Sequence, residues 1–295
     1  MPVCRRCYPH ENAVKSGVKY DPWPNRARFL LRGRLPEQAG QTKPNFSVQP
    51  ANSLKAIFVW QFEVWIPTTR SKIIKYNVNN MKVIITGATG MVGEGVLLEC
   101  LHNPIVSDIL IISRRHYELQ HAKLKELIVP DFFQLNQFAE QVKNYDACFF
   151  CAGISSVGMK EDKYTRITYD TTLAFAKTLL TVNNNMVFAY VSGSHTDSSE
   201  KGKLMWARVK GRTENELSRL SFKAVYHFRP GLMLPFPGQK NWNRFYKFIG
   251  RVIKLFVPTK VLDIQEVGRA MINAVQIGYS KQILEIGDIK ALAGK

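Results

Sequence analysis

The chain is poor in cysteine, poor in acids relative to bases, and without a long apolar run. Its 295 residues hold five cysteines, at 4, 7, 100, 148 and 151. Too few for a disulfide framework, they exclude a small stapled secreted fold. Cys100, Cys148 and Cys151 lie in or beside apolar runs and read as buried free thiols. Cys4-Arg5-Arg6-Cys7 is a lone C-x-x-C pair with only His10 nearby, short of the four ligands of a structural zinc site, so no metal is expected. The most apolar early stretch, Ala56 to Pro67, is interrupted by Glu63 and falls short of the about twenty residues a membrane helix needs. No apolar run follows the opening MPVCRRCYPH, which argues against a secretory signal and makes a cytoplasmic location the default expectation.

Acids are scarce: 23 Asp and Glu stand against 41 Lys and Arg, for a formal charge of +18. The excess is concentrated early, because residues 1–80 carry 13 basic and 4 acidic residues. Such a balance suits nucleic acid, an anionic membrane or an anionic ligand. No nucleic-acid motif accompanies it, so specific nucleic-acid binding is not expected.

Residues 1–80 also hold 8 of the 14 prolines and show poor periodicity. Met81 then opens a clean apolar strand. The expectation is a basic, Pro-rich extension or mis-assigned start over 1–80, with a folded domain over 81–295. A basic targeting arm is the rival reading; its prolines and scattered acids argue against an amphipathic transit helix.

From Met81 the pattern alternates. Strands are expected at Lys82–Thr86, Asp108–Ser113, Asp146–Ala152, Met186–Ser192 and Ala224–Arg229. Helices are expected at Met91–His102, around Leu119–Leu127, and over Glu161–Thr181, Lys203–Leu220 and Asp263–Gly278. Short apolar strands alternating with helices predict an α/β fold: a Rossmann-type doubly wound parallel sheet. A small C-terminal helical lobe is expected from about 232. Within it, Asn241 to Phe256 is amphipathic, with a basic face. It reads as a substrate-side helix in preference to a peripheral membrane helix. A homo-oligomer is left open.

TGATGMVG follows the first strand and opens the first helix. Gly87 allows a tight turn, Gly90 lets backbone approach a pyrophosphate, and Gly93 permits close helix packing. Free amides at the helix start, from Thr89 through Met91 and Val92 to Gly93, would meet the anion. A ligand-free tight turn is the alternative. The second strand ends in Ser113, where an acid would bind the ribose 2′-hydroxyl of NAD. Arg114 and Arg115 follow, and arginine suits the 2′-phosphate of NADP. NADP(H) is therefore favoured over NAD(H), with a pair of solvated arginines as the bland alternative.

These features resemble the short-chain dehydrogenase/reductase superfamily in its extended, NAD-dependent epimerase/dehydratase-like group. The double arginine, Val209-Lys210-Gly211 and Arg229-Pro230-Gly231 are most similar to the Tat-interacting oxidoreductase-like family. The resemblance implies that Asp131 hydrogen-bonds adenine, that Ala152 and Gly153 line the ribose, and that Pro230 and Gly231 border the nicotinamide. It also implies catalysis by Ser, Tyr and Lys, with Ser192 and Lys210 at two of those positions. Trp206 stands at the tyrosine position. An indole N–H donates hydrogen bonds but cannot act as a base. His195 is the first choice for a replacement proton donor, with Ser194, Asp197, Tyr164 and Tyr169 also considered; an exposed loop histidine with no role is the more common case and the alternative. The expected function is an NADP(H)-dependent oxidoreductase or epimerase-like protein with a small-molecule substrate. The alternative is a non-catalytic NADP(H)-binding regulator. Unremarkable roles for Ser192, as a strand end, and Lys210, as a solvated helix charge, remain open.

Overall fold

MKVIIT is an apolar run with one lysine, and it forms the central strand β1, Met81–Thr86. Its side chains alternate between two cores, as the twofold period of a strand requires. Val83 and Ile85 pack with Ile109 and Ile111 on one face of the sheet. Ile84 packs with Leu110, Ile112 and Phe150 on the other. A strand buried on both faces reads as a continuous apolar run, and this explains its clarity in the sequence.

The computed structural model describes residues 80–241 and 258–295. The expectations for residues 1–79, including Cys4 and Cys7, and for the amphipathic segment 242–256 lie outside the described residues. Those residues give α1 Met91–His102, β2 Val106–Ser113, β3 Leu124–Ile128, a 3-10 turn Phe132–Phe138, α2 Ala139–Val142 and β4 Ala147–Phe150. There follow α3 Glu161–Thr165, α4 Thr171–Val182, β5 Val187–Val191, α5 Met205–Ser218, β6 Ala224–Phe228 and β7 Leu232–Leu234. The chain ends with β8 Val261–Asp263, α6 Ile264–Ile277, β9 Ile283–Leu284 and α7 Ile286–Ala293.

Seven of these strands form a parallel sheet in the order β3-β2-β1-β4-β5-β6-β9. The order reverses between β1 and β4, and the crevice at such a switch point is where doubly wound sheets bind ligands. After β6 the chain leaves the main sheet, and β7 pairs with β8 in a separate two-stranded ribbon. No helix among the described residues is long and apolar enough to cross a membrane.

Two elements differ from expectation. Residues 124–128 are a strand where a polar helix was expected over Leu119–Leu127. β3 lies at the sheet edge and buries only Leu127 fully, so its apolar period is weak. Pairing with Ile109–Ser113 of β2 decides its conformation over the helical preference of Leu, Lys and Glu. The long helix expected from Glu161 runs as α3 and α4 around a π turn, Arg166–Asp170. There the amide of Thr171 reaches back to the carbonyl of Arg166. Single π turns recur at functional sites.

Candidate functional site

The β1–α1 turn is built by glycines. Gly87 has φ +74°, a left-handed conformation that favours glycine, and its carbonyl accepts the amide of Gly90 at 2.8 Å. A Cβ on Gly93 would lie 2.1 Å from that same carbonyl oxygen, so α1 can approach the turn only without a side chain there. Gly90 caps α1 with no side-chain hydrogen bond. The amides of Met91, Val92 and Gly93 therefore have no intrahelical acceptor. Free amides at the positive end of a helix dipole are suited to an anion.

A cavity of about 260 Å³ opens beside this turn. Gly87, Thr89 and Gly90 form one wall, and Ser113, Arg114 and Arg115 another. Asp131 and the Cys151–Ala152–Gly153 segment complete it, with Ile167 from the π turn and Thr171 at the start of α4. Ala152 donates its amide to Thr86 Oγ1 at 3.2 Å, which fastens the ends of β1 and β4 together. Asp131 caps the 3-10 turn through the amide of Phe133 at 3.1 Å. Cys151, expected to be buried, is part of the cavity wall, and its thiol is pushed up to about 12 by burial. Cys100 and Cys148 are buried free thiols. The donor set fits a dinucleotide: free helix amides for a pyrophosphate, guanidinium groups for a further phosphate, and an acid with an apolar floor for a base.

A second group lies at the ends of β5 and β6. Lys210, one turn after the half-buried Trp206 on α5, donates its ammonium to the carbonyl of Ser192. Burial pushes its pKa down to about 8, while Glu214 one turn further on pulls the other way. The Ser192 hydroxyl bonds to the Glu214 carboxylate and is buried. Glu214 also accepts Arg229 Nε at 3.1 Å and forms a buried ion pair with Arg229 Nη2. Arg229 reaches onward to Ser198 Oγ at 2.6 Å and to Glu285 at 3.2 Å.

The loop after β5 is organised by Asp197. Its carboxylate accepts the Ser199 hydroxyl at 2.6 Å and the Gly202 amide at 2.6 Å. These bonds, the Ser199 hydroxyl first, hold its pKa below the usual carboxylate value. A Cβ on Gly211 would lie 1.8 Å from the Asp197 carbonyl, so the glycine after Lys210 lets α5 pack on this loop. His195 is exposed and has φ +68°, an uncommon conformation for a non-glycine residue. Its Nδ1 lies 3.2 Å from Ser194 Oγ. Ser194 donates its amide to the Pro230 carbonyl at 2.9 Å, bringing the loop to Pro230 and Gly231. Tyr164 is buried and its pKa is raised by burial. Tyr169 lies under the guanidinium of Arg212, 4.4 Å from the ring centre.

The glycine turn, both arginines, Asp131, Ala152 and Gly153 thus meet at one cavity. Ser192, His195, Lys210, Pro230 and Gly231 do not line it and cluster at the ends of β5 and β6. Sequence reasoning missed Glu214 and the arginine of the Arg-Pro-Gly run as a buried pair. One signal was present: Trp206, Lys210 and Glu214 recur every four residues on one helix face.

Residues 83–201 match the NAD dependent epimerase/dehydratase family. Beyond it, the chain is 26% identical to Protein HTATIP2 of Rattus norvegicus over 74% of this chain and 90% of that protein. It is also 26% identical to the mitochondrial protein fmp52 of Emericella nidulans over 65% of this chain and 86% of that one. Among solved structures, an ADP-L-glycero-D-manno-heptose-6-epimerase of Helicobacter pylori superposes with a TM-score of 0.54 at 14% identity. It covers 72% of this chain and 77% of its own. The Bordetella bronchiseptica enzyme WbmF, solved with NAD+, superposes at 0.52 with 13% identity over 74% and 77% of the two chains. These likenesses show a Rossmann-type fold of the kind found in that family's solved structures.

The expected cytoplasmic location is corrected by the same relatives. The fungal proteins of Emericella nidulans and Candida albicans are named mitochondrial. The cytoplasmic default rested on a missing apolar signal, and import into mitochondria does not use an apolar run.

Proposed function

We propose that this chain is an NADP(H)-dependent oxidoreductase or epimerase-like protein acting on a small molecule. The observation that carries the cofactor choice is the pair Arg114 and Arg115 at the cavity, beside a serine where NAD-binding folds place an acid. Among the described residues neither guanidinium is engaged in a hydrogen bond or ion pair, so both are available to a phosphate. The mitochondrial names of the fungal relatives support a mitochondrial location.

The bound cofactor would supply hydride transfer. Everything else falls to the chain's own backbone and side chains. Met91, Val92 and Gly93 amides hold the pyrophosphate, and Asp131 meets the adenine. Lys210 is the donor for the nicotinamide ribose; at about 8 its pKa leaves it mostly cationic at neutral pH. Ser192 supports the site from beneath, its carbonyl holding Lys210 and its hydroxyl holding Glu214. His195 with Ser194 is the proton donor that the Trp206 indole cannot be.

Trp206 also favours a second reading, a non-catalytic NADP(H)-binding regulator. Quenching of tryptophan fluorescence by NADPH tests cofactor binding in both cases. NADPH oxidation against aldehydes, ketones and quinones, with Lys210→Ala as control, separates them. Binding without turnover across that panel would favour the regulator.

A further inference from the structure

The two arginines do not hold their own loop. Residues 114–123 connect β2 to β3 without regular structure. A loop left free would have to be ordered each time a phosphate arrived, and that cost would be subtracted from affinity.

Glu126 supplies the order. It lies within β3, in register with Ile111 of β2. Its Oε1 accepts the amide of Tyr117 at 2.8 Å and lies 3.4 Å from Ser113 Oγ. Its Oε2 lies 2.5 Å from His116 Nδ1. The residues it holds, Ser113, His116 and Tyr117, bracket Arg114 and Arg115. The Ser113 hydroxyl also donates to the Arg115 carbonyl at 2.6 Å, closing the bend between them.

The geometry points to Glu126 as the positioning residue that sets cofactor specificity: it clamps the β2–β3 loop so that both guanidinium groups face the 2′-phosphate. This rests on the NADP(H) reading above. Glu126 is not itself an acid for a ribose 2′-hydroxyl. It does not line the cavity, both its oxygens are engaged, and it lies on β3 and not at the end of β2. Charge and clamp also act in opposite directions. Removing an anion near two arginines would by itself tighten phosphate binding, whereas removing a clamp weakens it.

The experiment compares dissociation constants for NADPH and NADH, by fluorescence titration, in the full chain and in Glu126→Ala and Glu126→Gln. The clamp predicts about tenfold weaker NADPH binding in Glu126→Ala, equivalent to about 1.4 kcal/mol. NADH binding changes less than about twofold, which also serves as the folding control. Glu126→Gln keeps an acceptor for Tyr117 and falls between. Tighter or unchanged NADPH binding in Glu126→Ala overturns the clamp, and so does an equal loss for both cofactors. Selective loss of NADH would make Glu126 a ribose acid and overturn it too. The NADP(H) reading is judged separately, on the unaltered chain and on Arg114→Ala with Arg115→Ala. An unaltered chain without NADPH preference sinks both.

Discussion

Lys210 is a half-buried cation, and its desolvation has a measurable consequence. Its pKa falls from 10.5 to about 8 because desolvation outweighs the attraction of Glu214. Below about pH 8 the lysine is charged in both folded and unfolded chains, and the folded state bears the full desolvation penalty. Between about 8 and 10.5 the folded chain releases the proton while the unfolded chain keeps it, so stability rises with pH. Above 10.5 both are neutral and the penalty is gone. The gap corresponds to about 3 kcal/mol. Lys210→Met removes the titration and retains much of the side-chain volume. Loss of the bond to the Ser192 carbonyl offsets about 1 kcal/mol of the gain. The variant should therefore be more stable than the parent by about 2 kcal/mol near pH 7. That advantage should shrink steadily toward about pH 10. Urea unfolding of both proteins across this range measures it. Tyrosines and thiols also titrate there, but they are common to both chains and cancel in the difference. A difference that stays flat with pH would refute the desolvated-cation account of Lys210.

Other outcomes follow from the same geometry. Arg229→Met leaves Glu214 buried without its cation and should cost about 3–5 kcal/mol in urea unfolding, while pairing it with Glu214→Leu should restore most of the loss. Gly93→Ala drives a methyl group into the Gly87 carbonyl and should destabilise by about 1–3 kcal/mol, with NADPH affinity falling at least about tenfold in fluorescence titration. Trp206→Tyr should produce or raise NADPH oxidation with a carbonyl substrate if only the proton donor is missing. Activity that falls in that variant would show the indole to be part of the working site. His195→Ala should abolish any turnover of the parent while leaving NADPH binding within about twofold.

The β1–α1 unit was legible because its signals are local. An apolar run, three spaced glycines and a helix start lie within residues 81–93. Ser113-Arg114-Arg115 could be read for the same reason, once the strand before it was found. β3 could not, because only its pairing with β2 makes it a strand. The π turn was hidden by helical periodicity that continues on both sides of it. The Glu214–Arg229 pair joins a helix to a strand end, and the Glu126 clamp joins a strand to a loop. Neither partner announces the other by spacing.

The sequence named many residues able to do chemistry, and the fold shows which of them are already committed. Ser192 has its hydroxyl on Glu214, Asp197 binds its own loop, and Tyr164 is buried. The Ser192 bond to Glu214 is buried and costly to lose, the Asp197 carboxylate is taken up by its own loop, and Tyr164 lies inside the core. Arg114 and Arg115 lie at the cavity without a partner among the described residues, and His195 is exposed beside Ser194. A side chain left free at a cavity, on a loop that other residues hold in place, is prepared for a ligand. By that criterion the two arginines are, among the described residues, the side chains best placed to take a ligand. The weight of any claim to catalysis rests on His195, which takes a left-handed backbone at φ +68° that a glycine would adopt without strain.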